Sequence, residues 1–249
     1  SFGKASVGDT MGTDILLVIT FVIYPLLIIL FNMGDYSSLL FSRRSLRREC
    51  GEAITVFGVF LVIYWLRAPT ANLVSRLLTV SFEPGISWTI GNIFFLLASS
   101  FLLLFMEKVV RKRDLSTIGF KLPTNGKVLL VFAGVIVAYL VGATIRLASG
   151  SHIPAYTFIS AVILVPLAEE TVFRSLIQTR LETWLGPVKS WILSGLLFGF
   201  YHFYAWFIIG TSTQFMLPQL IWTALFGMLA GVIFAKTRSL FPTPASCCK

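Results

Sequence analysis

Apolar residues follow one another along this chain in long stretches, parted by short polar and basic segments. Seven stretches stand out: about 14–32, 53–67, 86–107, 127–146, 156–180, 188–209 and 216–235. A helix rises about 1.5 Å per residue, so roughly 20 apolar residues cover the ~30 Å hydrocarbon core of a bilayer. The pattern predicts an all-α polytopic membrane protein, a single integral membrane domain over 1–249 with about seven transmembrane helices and an eighth that is aborted or absent. The second stretch is short and ends at Trp65-Leu-Arg67, with Pro69 just beyond. It is either a short span or a helix that bends and continues through 68–80. Between the fifth and sixth stretches, Trp184-Leu-Gly186-Pro187 reads as a helix stop followed by a proline start.

Composition agrees: mean hydropathy is +0.85, with 56% apolar and 12% charged residues. A net charge of +9 would suit a nucleic-acid binder, but its placement excludes that reading. The seven-span division puts 15 of the 20 Lys and Arg on one side. By the positive-inside rule the basic loops face the cytoplasm of a bacterium, or the stroma or matrix of an organelle, beside anionic lipid headgroups. The membrane is then the bacterial inner membrane or an organelle membrane, and lipids are the first partners. The basic segment Lys108–Asn125 reads as a solvated amphipathic linker. Cys50, Cys247 and Cys248 have no CxxC spacing and read as free thiols, with palmitoylation of Cys50 beside the Arg43–Arg48 cluster as the sharper alternative.

Against this background four ionisable residues stand out: Glu169, Glu170 and Arg174 in the fifth stretch and His202 in the sixth. A charge at the centre of a membrane helix costs roughly 2.5–3.5 kcal/mol on insertion scales, so such groups need compensation or a function. Glu169 and His202 are 33 residues apart, with their midpoint at the Leu185–Gly186 turn. Two antiparallel helices leaving one turn bring them to equal depth, roughly 20–25 Å from it. Gly195 and Gly199 share the His202 face and allow close helix approach, and Gly227 and Gly231 repeat the spacing in the seventh span. Glu170 and Arg174, four residues apart, are placed to pair along one face, either as a structural ion pair or as part of a catalytic site. Glu169 points about 100° away from Glu170. A buried carboxylate at the depth of a histidine suits a general base acting on water; the plainer role for His202 is a polar link between helices. His202 could also bind a metal. Pro166 frees the Val162 carbonyl and is expected to bend the helix beside the site.

Glu169-Glu170-x-x-x-Arg174 and Phe198-x-x-x-His202 resemble the first two motifs of the CPBP intramembrane proteases, the family of the type II CAAX prenyl endopeptidases and the Abi bacteriocin-protection proteins. The resemblance covers about residues 105–242, including Leu115-x-x-x-Gly119-Phe120. It implies an intramembrane endopeptidase acting on membrane-associated, prenylated proteins or peptides. It gives Glu169 and His202 the role of activating water and Glu170 and Arg174 that of supporting them. A further family motif, His-x-x-x-Asn on a later helix, serves metal ligation or oxyanion stabilisation. Here Ser239-Leu-Phe-Pro242 looks like the entry to that helix, but no histidine follows His202 and no asparagine follows Asn125. A zinc ion would then be left with Glu169, Glu170 and His202 as ligands. The expected activity of the sequence as it stands is weak or absent, since lost oxyanion donors cost about 10²–10³ in rate in other hydrolases.

Two other classes compete. A silent scaffold or regulator of the same fold would keep the polar cluster as structural glue. A transporter would use the buried carboxylates as a substrate or proton site, but no second half mirrors the 165–202 region.

Overall fold

Pro69 does not end the second apolar stretch. In a computed structural model of the chain it lies inside one helix, α1 (Leu46–Leu77). The longer of the two expected forms is thus the one observed. The structure describes residues 46–130, 160–208, 210 and 212–240, with the isolated positions Ala133, Gly134, Val137, Thr144 and Tyr156. The expected span at 14–32 lies outside these residues, as does most of that at 127–146 and all of the chain from 241.

Helix α2 (Pro84–Leu104) starts on a proline, whose missing N–H costs nothing in the first turn, and widens into a π-helical segment, Phe105–Val110. A 3₁₀ turn, Leu115–Ile118, lies in the basic linker. The fifth stretch is a composite of a π segment Ser160–Leu164, a short helix α3 (Val165–Glu170) and a second π segment Thr171–Gln178. It runs directly into α4 (Thr179–Ile208); α5 (Thr213–Thr237) follows. Among the described residues every regular element is helical.

Among the described residues, four helical stretches are long and apolar enough to cross a membrane: Arg48–Leu77, Pro84–Val110, Val165–Ile208 and Met216–Thr237. The protein is an integral membrane protein. The third stretch has 44 residues, about twice the length that the ~30 Å core requires. Gly186 resolves the excess. Its φ of 79° and ψ of 172° break α4, a conformation that glycine adopts without steric cost, and Pro187 opens the next arm. Arg174 Nη1 donates to Ser194 Oγ at 3.1 Å, and Ser194 Oγ to the Phe173 carbonyl at 3.1 Å. Both bonds straddle the turn, so the two arms form an antiparallel hairpin.

Small residues set how closely α5 lies against that hairpin. A Cβ on Gly195 would come within 2.5 Å of the Met228 backbone nitrogen, and one on Gly199 within 2.8 Å of Ala224 Cβ. Gly195→Ala therefore forces the helices apart, with an expected loss of about 1–3 kcal/mol. Gly58→Ala, where no atom lies within 4 Å, is the control. Thermal unfolding in detergent should show a lowered midpoint for the first and none for the second. Equal midpoints would refute the packing role.

Aromatic rings join the hairpin to α1 and α2. Phe60 packs edge-on to Phe173 at 5.4 Å, Tyr64 packs against Tyr201 at 5.1 Å, and Phe60 meets Phe95 at 5.1 Å. Toward the basic end of the bundle lies a buried ionic layer. Arg180 Nη2 donates to Glu107 Oε1 at 2.7 Å, and Arg111 donates to Glu49 at 2.6 Å and also to Glu52. Burial works against the Arg111 charge, but hydrogen bonds and attraction from Glu49 and Glu52 outweigh it, so its pKa is raised. Arg180, read from the sequence as a basic loop residue, is only 1% exposed. The ion pair with Glu107 brings its charge inside.

The linker also departs from expectation. Ile118 is fully buried, its carbonyl accepts from Ser175 Oγ at 2.8 Å, and the Gly119 carbonyl accepts from the Leu240 N–H at 3.0 Å. The segment is strapped against the bundle because its apolar Leu115, Ile118 and Phe120 join the core. Cys50 is a half-buried free thiol.

Candidate active site

Proline and π-helical geometry place the acidic pair. Pro166 has no N–H to give, and the backbone before it takes the wider π register over Ser160–Leu164. A second π segment follows at once, and all eight of its residues, Thr171–Gln178, are buried. Glu169 and Glu170 sit between the two, at the C-terminal end of α3.

The carboxylates diverge. Glu170 Oε2 accepts from Arg174 Nε at 3.1 Å, with the guanidinium wholly buried. Arg174 also stacks near Phe198, its Cζ 5.6 Å from the ring centroid. Glu169 turns to the other arm of the hairpin, its Oε1 3.9 Å from His202 Nε2. The equal-depth argument thus describes the geometry observed. Glu169 is 2% exposed and His202 7%.

His202 is held on three sides. Its ring lies 4.5 Å from Phe198, 4.8 Å from Tyr201 and 5.6 Å from Trp206 between centroids. Nδ1 sits 3.0 Å from the Phe198 carbonyl oxygen. A carbonyl only accepts, so Nδ1 carries hydrogen, and a neutral ring presents a bare Nε2 lone pair toward Glu169. With Glu169 ionised the pair is two acceptors facing one another across 3.9 Å, too far apart for a direct hydrogen bond.

The expected zinc set does not assemble. Among the described residues no three His, Cys, Asp or Glu side chains converge so as to hold a metal ion. The reason is the divergence just described, since Glu170 is committed to Arg174 while Glu169 alone faces His202.

Residues 150–245 match the family model described as Rce1-like, type II CAAX prenyl endopeptidase Rce1-like. This segment resembles the type II CAAX prenyl endopeptidases. The match spans less than half of the 249 residues and contains Glu169, Glu170, Arg174 and His202. The resemblance read from the two motifs therefore holds over the endopeptidase-like segment. No curated protein and no solved structure matches the chain.

Three residues at the site were not singled out from the sequence. Ser194 bridges Arg174 and the Phe173 carbonyl, but the depth rule pairs Arg174 with Leu197 instead and would not have found it. Tyr201 and Arg67 lie within electrostatic reach of the Glu169 carboxyl. Tyr201 is adjacent to His202 and could have been suspected, but Arg67 stands in α1 and no local pattern points to it.

Proposed function

We propose that this protein is an intramembrane endopeptidase that hydrolyses a peptide bond in membrane-associated, prenylated proteins, with water activated jointly by Glu169 and His202. The observation that carries the reading is the 3.9 Å gap between Glu169 Oε1 and the bare His202 Nε2. Two hydrogen bonds of about 2.8 Å closing over that gap meet at about 90°, near the angle between the two O–H bonds of one water. A single water donating to both acceptors has its oxygen lone pairs directed outward, toward a substrate carbonyl carbon. As the oxygen attacks, its proton passes to one of the pair. The C–N bond then breaks, the proton goes to the leaving amine, and the products are a carboxylic acid and an amine. The Glu170–Arg174 pair and Ser194 support this by fixing the hairpin backbone on either side. The chain acts as one membrane domain, with its basic linker facing the cytoplasm, stroma or matrix and anionic lipids beside it.

The test uses the full chain in lipid nanodiscs with a farnesylated peptide ending in a Cys-aliphatic-aliphatic-X sequence. Mass spectrometry should find the released C-terminal tripeptide. If a panel of such peptides stays intact over many hours, the reading fails. A scaffold role is the competing reading, favoured by the near-complete burial of Glu169 and His202; it expects those peptides to be bound or ignored but never cut.

A further inference from the structure

Arg67 is the exception among the arginines. Among the described residues, every other arginine that is not exposed has a carboxylate within 4.0 Å: Arg111, Arg113, Arg174, Arg180 and Arg238. Arg67 has only neutral hydrogen-bond partners. Its Nη1 donates to Asn92 Oδ1 at 3.0 Å, its Nη2 to the Tyr64 hydroxyl at 3.3 Å, and its Cζ stacks 4.5 Å from the Tyr64 ring centroid. These contacts fix the guanidinium without neutralising it. The Glu169 carboxyl is within electrostatic reach but not in contact, so a guanidinium facing a cavity in a membrane helix has room for a second, contacting anion.

The surroundings are those of a receiving site. Arg67 lines a cavity of about 220 Å³ between α1 and α2, together with Ala71, Asn72, Ser87, Trp88 and Gly91. Gly91 lets α2 close over Arg67, since a Cβ there would meet the Arg67 backbone oxygen at 2.8 Å. One fixed cation thus stands at the cavity, its planar fork suited to a carboxylate.

The site also lies at a usable distance from the Glu169–His202 pair. Contacts of 4.5, 5.1 and 4.8 Å lead from the Arg67 guanidinium through the Tyr64 and Tyr201 rings to the His202 ring. An extended tripeptide spans about 10 Å. We infer that the Arg67 cavity takes the terminal carboxylate of the peptide whose bond, three residues upstream, lies at Glu169 and His202. This rests on the endopeptidase reading for the identity of the ligand. An anionic lipid headgroup offers related chemistry, and the test separates the two.

Binding is measured rather than cleavage, so the outcome does not depend on turnover. The probe is a fluorescent farnesylated Cys-aliphatic-aliphatic-X peptide, as the free acid and as the C-terminal amide, titrated into Glu169→Gln protein in phosphatidylcholine nanodiscs. The acid should bind at least tenfold more tightly than the amide. Adding Arg67→Gln should remove that preference, and Arg67→Lys should keep part of it. Equal binding of acid and amide to the Arg67-containing protein, a comparison that needs no change at Arg67, overturns the inference. So does a preference that survives Arg67→Gln. If phosphatidylglycerol nanodiscs abolish the preference while Arg67 is intact, the site belongs to lipid and the peptide assignment falls. A protein that binds the acid selectively yet cuts nothing would refute the endopeptidase reading while leaving the carboxylate site in place. An Arg67→Gln protein that cuts acid and amide peptides with equally reduced kcat would instead place Arg67 as a group acting through Glu169, and the inference would be wrong.

Discussion

Glu169→Gln is expected to abolish peptide cleavage, by at least about a hundredfold, while leaving thermal unfolding essentially unchanged. Glutamine has nearly the shape of glutamate, so the packing at a residue 2% exposed is kept. What is lost is the capacity to take a proton, and the new amide can turn an N–H toward water that the carboxylate would have accepted from. His202→Ala should cost as much, because it removes the second acceptor of the same water, Nε2, together with the ring that Phe198, Tyr201 and Trp206 enclose. The double variant should be little worse than either single one, since the two groups act as a unit. The measurement is initial rate on the farnesylated peptide, with unfolding midpoints measured in parallel. Retention of more than about a tenth of the rate by Glu169→Gln, in folded protein, would remove Glu169 from the mechanism.

Arg174→Leu should act on stability instead. It takes from Glu170 the guanidinium that donates to it at 3.1 Å and from Ser194 the donor at the same distance, in a place with almost no solvent. Breaking one side of a buried pair typically costs ~3–5 kcal/mol, most of it from the charge left behind. Removing that charge as well, in Arg174→Leu combined with Glu170→Leu, should recover part of the loss. Denaturation in detergent gives both values. An Arg174→Leu protein that unfolds like the unmodified one, or a double variant less stable than the single, would show that the pair is not what holds this part of the hairpin.

What was legible in the sequence came from the fixed rise and rotation of a helix. That geometry put Glu169 and His202 at one depth, set Glu170 against Arg174, and made Gly186-Pro187 a turn. What was not legible joins segments far apart along the chain. Arg180 pairs with Glu107 and Arg67 with Asn92, and neither partner can be chosen from local periodicity. The π segments around Glu169 were hidden for another reason. A change from one hydrogen-bond register to the next alters the backbone and not the residue types, so it leaves no mark in the pattern. At the same place, one-dimensional spacing gives the angle between Glu169 and Glu170 but not which neighbour claims each.

The break at Gly186 also bears on how the protein is made. Glu169 and His202 lie on consecutive membrane crossings joined by a single turn, so their contact closes within one hairpin. It needs neither α1 nor α2, which leave the ribosome earlier, nor α5, which leaves later. The ionic layer is different: Glu49, Glu52, Glu107, Arg111 and Arg180 come from three separate parts of the chain and can only close once the hairpin docks. Glu169 and His202 can therefore be aligned within a single hairpin, whereas the ionic layer depends on its docking.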